Sequence, residues 1–199
     1  TLSSQRLLST KAPVFVNATN KWKLDQLPVT DRKEAIRRGG YALAVVDLDG
    51  DSLKDLIIGH YGPVQILKNT GSSFVDVTKE YGILEEGSVK SAAVDDLDND
   101  GDKDIIFLRF VEQGQDMLGD FVAYENIGEP GAAKFKQHLN LLPRDRKYDR
   151  AMPLTLSDFN GDGHTDIVAA AYSYLLEANS GQVAVIYGPL LDDRGLMAW

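Results

Sequence analysis

One nine-residue acidic loop occurs three times in the sequence, and an apolar run follows each copy. The three segments read DLDGDSLKDLIIG, DLDNDGDKDIIFL and DFNGDGHTDIVAA, and they begin at Asp47, Asp96 and Asp158. Their starting points are 49 and 62 residues apart, which is the period of a supersecondary repeat. The chain is therefore expected to fold as an array of similar units, each of which buries its apolar face against a neighbour.

Each unit is predicted to consist of short β-strands. The apolar runs on both sides of each loop are too short for helices and are rich in β-branched residues. After the first loop, Asn69-Thr70-Gly71 lies between two alternating runs, a pattern that predicts a hairpin. The second unit repeats this pattern with an insertion around residues 128–133. Four short strands per unit predict an all-β fold built from β-propeller blades.

The whole chain, residues 1–199, is interpreted as a single β-propeller region of about three and a half four-stranded units. Residues 12–30 are predicted to form a partial blade with strands at Val14–Val16 and Trp22–Leu24. Two blades with acidic loops are predicted at 40–84 and 88–142, and a partial blade with the third loop at 151–190. Because so few blades leave open sheet edges, we expect further blades or a second chain to complete the propeller. Two copies would supply about seven blades.

The acidic loops have the composition of sites for a hard divalent cation. Such a cation prefers oxygen ligands, and a loop that wraps around it turns alternate side chains inward. Carboxylates or amides at positions 1, 3, 5 and 9, with the carbonyl at position 7, are predicted to bind up to three Ca²⁺ ions. The predicted metal ligands are Asp47, Asp49, Asp51, Leu53 and Asp55 in the first loop, Asp96, Asp98, Asp100, Asp102 and Asp104 in the second, and Asp158, Asn160, Asp162, His164 and Asp166 in the third.

Position 6 of each loop is predicted to make a sharp turn that favours glycine. Gly101 and Gly163 fit this requirement, whereas Ser52 is expected to be strained and to make the first site weaker. An EF-hand is excluded because position 12 lies in the following apolar run, at Ile58 in the first loop. Magnesium fits less well because it demands stricter octahedral geometry. One such loop could be a polar turn, but three copies favour a metal, since clustered carboxylates repel unless neutralised.

The net charge of −9 arises from 30 acidic and 21 basic residues, and twelve of the acidic residues lie in the three loops. One Ca²⁺ per loop would change the net charge to about −3. This charge disfavours nucleic acid and anionic membranes as partners. The absence of cysteine excludes disulfides and thiolate catalysis, and no apolar run reaches the roughly 18 residues that a membrane span needs.

The loops and the strands after them resemble the FG-GAP type of repeat found in integrin α-subunits and VCBS proteins, with the motif D-x-[DN]-x-[DN]-G-x-x-D. The segment ILKNTGSSFVDVTKEYGI is similar to repeats of the cartilage acidic protein family and its bacterial relatives. The resemblance extends from about Ala12 to Pro189. It implies a seven- or eight-bladed propeller with structural calcium, secreted or at the cell surface, that binds a protein or glycan ligand. The Phe-Gly and Gly-Ala-Pro landmarks are only partly present, at Gly62-Pro63 and Gly188-Pro189.

Two other functions stay open, namely a propeller in a carbohydrate-active enzyme and a lectin. The sequence contains no GxSxG, HExxH or P-loop motif, so we predict that the chain is not an enzyme. Among His60, His138 and His164, the best catalytic candidate is His60, beside Tyr61. Sugar rings could stack on Trp22, Tyr61, Tyr148, Tyr172 and Tyr174, although Trp22 is expected to pack between blades. A glycan array would separate a lectin from a protein-binding module.

Overall fold

The computed structural model describes residues 16–24, 40–60, 63–85, 88–113, 116–138, 151–172, 181–186 and 188. Regular structure in these residues is almost entirely β-strand, and no helix among them is long and apolar enough to cross a membrane. The strands are β1 (Gly40–Val46), β2 (Asp55–His60), β3 (Gln65–Asn69), β4 (Phe74–Asp76), β5 (Ser88–Asp95), β6 (Asp104–Gln113), β7 (Asp116–Asn126), β8 (Phe135–His138), β9 (Ala151–Ser157), β10 (Asp166–Tyr172) and β11 (Gly181–Ile186).

The strands form three antiparallel sheets in which neighbours along the chain are also neighbours in the sheet. The first sheet contains β1 to β4, the second β5 to β8, and the third β9 to β11. Each acidic loop joins the first strand of a sheet to the second, which confirms the predicted succession of strand, loop and strand. The predicted hairpin is also confirmed, because Asn69 on β3 pairs with Phe74 on β4. Such up-and-down sheets are propeller blades, so the all-β fold class is confirmed.

The second sheet is buried on both faces because it lies between the other two. Alternate residues of a strand point to opposite faces, so Phe107 and Tyr124 pack in a core shared with the first sheet, whereas Ile106 and Phe121 pack against Ile167 of the third. The first strands of the three sheets are neighbours in chain order, since β1 contacts β5 and β5 contacts β9. This face-to-face succession of sheets explains the near-continuous apolar runs after each acidic loop.

The first sheet leaves one apolar face open within the described residues. Leu43 and Val45 on β1 are 68% and 59% exposed. Counted back from the acidic loop, they occupy the same positions as Ala92 and Val94 on β5, and these two side chains pack against the core between the first and second sheets. The exposed face is therefore the one that a preceding sheet covers in the second blade.

Residues 16–24 have the same backbone turn as residues 75–83, which begin within β4 and continue beyond its end. The N–H groups of Trp22 and Tyr81 each donate to the carbonyl four residues earlier, at 3.1 and 2.8 Å. The residue after each has a positive φ, 57° and 81° respectively. This short segment is thus a second copy of the turn that ends the first blade, placed before that blade.

The strand predicted at Trp22–Leu24 is wrong. The i to i−4 hydrogen bond and the positive φ close a turn there, and a residue with positive φ cannot continue an extended strand. Val14, in the other predicted strand, lies outside the described residues. The boundaries of the four predicted blades stay predictions.

Candidate metal centre

The three acidic loops share one pattern of internal hydrogen bonds. The side chain at position 1 accepts the backbone N–H of position 6, at 2.8 Å in Asp47–Ser52, 3.0 Å in Asp96–Gly101 and 2.9 Å in Asp158–Gly163. The side chain at position 5 accepts the N–H of position 7, at 2.8 Å in Asp51–Leu53, 3.0 Å in Asp100–Asp102 and 2.9 Å in Asp162–His164. Such local bonds between side chain and backbone hold a loop in a compact turn.

The aspartate at position 9 anchors each loop to its own sheet. Asp55, Asp104 and Asp166 are fully buried, with an exposed fraction of 0%. Each accepts one N–H from position 2 of its loop and one from the end of the third strand or just beyond it. For Asp104 the two donors are Leu97 at 2.8 Å and Asn126 at 2.7 Å. This carboxylate therefore connects three segments of its blade.

Two positions in each loop have positive φ. The values are 69°, 100° and 88° at position 6 (Ser52, Gly101 and Gly163) and 76°, 63° and 80° at position 4 (Gly50, Asn99 and Gly161). The sharp turn predicted at position 6 is confirmed, and Ser52 makes it without glycine. A side chain in this region costs roughly 1–2 kcal/mol relative to glycine. The turn at Asn99 was not predicted, although asparagine tolerates positive φ better than most residues.

Positions 1, 3 and 9 converge in the first two loops. One carboxylate oxygen from each residue lies within 4.8 Å of the other two; the groups are Asp47, Asp49 and Asp55, and Asp96, Asp98 and Asp104. Oxygens at this spacing suit a hard divalent cation. In the third loop, position 3 is Asn160, so an amide oxygen replaces the third carboxylate. The side chains at position 5 of the three loops are exposed and lie outside the two convergent groups.

Crowding and burial raise the pKa values of carboxyl groups in the second loop. Burial raises the pKa of Asp104 to about 7. Burial, followed by the charges of Asp100 and Asp98, raises the pKa of Asp102 to about 7. Burial also raises the pKa of Asp98 itself and of Asp55 in the first loop. A divalent cation favours the ionised form of each group, so the loop is electrostatically suited to bind one and to release protons as it does so.

Buried oxygens without partners provide a test of whether the loops fit a cation. Among the described residues, Asp47 Oδ1 in the first loop and Asp102 Oδ1 in the second are buried and accept no hydrogen bond. An unpaired buried carboxylate oxygen is costly, and a bound cation would relieve that cost. The first loop therefore fits a divalent ion through an unpartnered oxygen of its convergent group, and the second fits one through its three convergent carboxylates. The individual ligands named from the sequence stay predictions.

The sequence did not predict two side chains that reach the first loop. Lys68 on β3 pairs with the carboxylates of Asp49 and Asp51, and the Tyr81 hydroxyl donates to Asp49 Oδ2 at 3.0 Å. Burial raises the pKa of Tyr81 to about 12, so its hydroxyl stays a donor. Lys68 and Glu125 each precede the asparagine whose N–H donates to position 9. An alignment of the third strands of the two blades would therefore have pointed to Lys68.

The second and third loops touch each other across the boundary between their sheets. Asn99 Nδ2 lies 2.9 Å from His164 Nδ1 and 3.4 Å from the carbonyl oxygen of Gly163. The Thr165 hydroxyl donates to Asp95 at 3.4 Å. The carbonyl of His164 stays a predicted ligand, and its ring contacts the neighbouring loop. The acidic loops of adjacent blades therefore line the same side of the molecule.

The remaining candidates from the sequence either contact neighbouring side chains or lie outside the described part of the chain. His138 Nε2 is 2.6 Å from Glu125 Oε2. The Trp22 ring packs on Phe74 with a centroid separation of 5.8 Å, which is consistent with the packing role expected for it. The side chains of His60 and Tyr172, and the residues Tyr61, Tyr148 and Tyr174, lie outside the described part of the chain.

The sheets and loops thus define a repeat protein made of propeller blades that carry acidic loops. Two repeat families match the chain: an FG-GAP-like repeat at residues 47–107 and an FG-GAP repeat at residues 154–186. These matches support an FG-GAP repeat protein of the integrin-α type, as the resemblance implied. No curated protein matches the chain, and the closer likeness to the cartilage acidic protein family stays a prediction.

Proposed function

We propose that the chain is a calcium-binding β-propeller module for extracellular recognition or adhesion, in which calcium has a structural role. The observation that carries this proposal is the convergence of positions 1, 3 and 9 in two loops that share one backbone pattern. FG-GAP repeats are typical of extracellular or surface proteins and are typically non-catalytic, which supports a binding role. The ligand is proposed to be a protein or a glycan.

The number of bound calcium ions tests this proposal directly. After saturation with Ca²⁺ and removal of free ions, the chain is expected to retain at least two ions, measured by atomic emission. Asp96→Asn is expected to lower the number by about one, because it removes a converging carboxylate from the second loop. Asp76→Asn, a control at an exposed carboxylate on β4, should leave it unchanged. A chain that retains no calcium would contradict the proposal.

We further propose that another sheet of the same repeat type covers the open face of the first blade. When no other protein is present, a second copy of this chain supplies that sheet. The covered counterpart of this face in the second blade supports this arrangement. Light scattering is expected to give a mass of about twice the 21.9 kDa of one chain. Leu43→Asp should shift the mass to that of one chain, because it places a charge on the exposed apolar face.

Leu84→Asp is the matched control for the mass measurement. Leu84 is 73% exposed and lies in a connection outside the strands. The variant with aspartate there should therefore have the same light-scattering mass as the wild type. A calcium-loaded wild-type chain with the mass of a single copy would contradict pairing through this face.

A further inference from the structure

Lys68 brings a positive charge into the first acidic loop. Its ammonium group pairs with Asp49 Oδ2 and lies 2.8 Å from Asp51 Oδ2. The Asp49 side chain is fully buried, whereas the Lys68 side chain is 24% exposed, so the stem enters from the surface and the charged end lies among the predicted ligands. Asp49 also accepts the Tyr81 hydroxyl. One positive charge from the same blade is thus shared by the carboxylates at positions 3 and 5.

The second loop has the opposite charge at the equivalent position. Lys68 and Glu125 each precede an asparagine whose N–H donates to the position 9 aspartate. Glu125 pairs with Lys136 and His138 on β8, at 3.2 and 2.6 Å. The two loops therefore share a backbone pattern, but only the first contains an internal cation among the described contacts.

Two further observations show what the ammonium group does in the first loop. It leaves Asp47 Oδ1 buried and without a partner, so it satisfies only part of the acidic cluster. It also pairs with Asp49, the position 3 carboxylate that an ion at positions 1, 3 and 9 would use. A lysine at this distance opposes a divalent cation by charge repulsion, and its removal from the cluster requires a change of rotamer.

We propose that Lys68 competes with calcium for the first loop, so that this loop is held together by an internal ammonium group and binds calcium more weakly than the second and third. The inference rests on the proposed calcium-binding function and deepens it. It assigns different roles to the loops: the second and third depend on the ion, and the first keeps its shape without one.

The test is a calorimetric titration of the ion-free chain with Ca²⁺. In the wild type we expect two tight sites, in the second and third loops, and a site in the first loop that is at least tenfold weaker. Lys68→Met, which keeps an apolar stem and removes the charge, is expected to tighten the site in the first loop at least tenfold. Lys54→Met is the matched control, because Lys54 is an exposed lysine at position 8 of the same loop. It should titrate like the wild type, as should Lys68→Arg, which keeps the charge.

A second measurement is the melting temperature in excess chelator. Lys68→Met should melt below Lys54→Met, because the carboxylates of the first loop then face one another without a cation. Equal affinities of Lys68→Met and the wild type, or three equal sites in the wild type, would overturn the inference. A complete lack of calcium uptake by every variant would overturn both the inference and the calcium-binding function. If the wild type and Lys68→Met both bind calcium and give the same titration, the inference alone is overturned.

Discussion

Removal of calcium with a chelator is expected to lower the melting temperature of the chain by roughly 10–20 °C. An ion that binds only the folded state stabilises it by about 2.7 kcal/mol per site when its free concentration is 100 times the dissociation constant. Two filled loops thus contribute about 5 kcal/mol. A domain of this size changes its melting temperature by about 2–4 °C per kcal/mol. Scanning calorimetry in calcium and in chelator measures this difference.

The control for this experiment is a chain with both Asp96→Ala and Asp158→Ala, which removes position 1 from the second and third loops. Its melting temperature should respond far less to the chelator, because the ligands of the two tight sites are incomplete. Magnesium at the same concentration should restore only part of the stability, since it tolerates irregular geometry poorly. A wild-type shift below about 1 °C at saturating calcium would show that the loops are empty.

Asp104→Ala is expected to destabilise the chain by about 2–6 kcal/mol even in the presence of a chelator. The substitution leaves the N–H groups of Leu97 and Asn126 without their acceptor, and each unpaired buried donor costs about 1–3 kcal/mol. The effect is therefore separate from the loss of a metal ligand. Urea unfolding of the ion-free variant and of the ion-free wild type gives the difference in the free energy of unfolding.

Asp100→Ala separates the two roles of the loop carboxylates. Asp100 is exposed and accepts the N–H of Asp102 from within the same loop, so its loss in chelator should change the stability by about 0.5 kcal/mol or less. In calcium, both variants are expected to lose part of the metal contribution. If Asp104→Ala and Asp100→Ala were equally stable in chelator, the anchoring role of position 9 would be wrong.

The blade architecture could be predicted from the sequence because its signals are local. The alternation that places Ile106 and Phe107 on opposite faces, and the hairpin after Asn69, are determined by neighbours along the chain. The positive φ at position 6 follows from glycine in two of the three loops. In the N-terminal segment the apolar residues suggested a strand, but Trp22 lies in a turn closed by backbone hydrogen bonds.

The charge in the first metal site could not be predicted from the loop motif. Lys68 is 17 residues beyond Asp51, and it reaches the loop only because β3 pairs with β2 and returns its end to the loop. The contact between Asn99 and His164 likewise depends on the packing of one sheet against the next. Such features arise from tertiary structure, and a motif that is read one loop at a time does not contain them.

The turn after β4 has a consequence for how such a chain can change its length in evolution. Tyr81 follows the first blade, yet its carbonyl accepts the N–H of Phe135 in the second blade at 2.7 Å, and the two rings lie 6.2 Å apart. Trp22 makes the matching ring contact with Phe74 of the first blade. The end of each unit is thus part of the interface with the next blade. A duplication or deletion preserves every interface between blades only if it begins and ends at equivalent points of two units. The chain is therefore expected to gain or lose whole units in evolution.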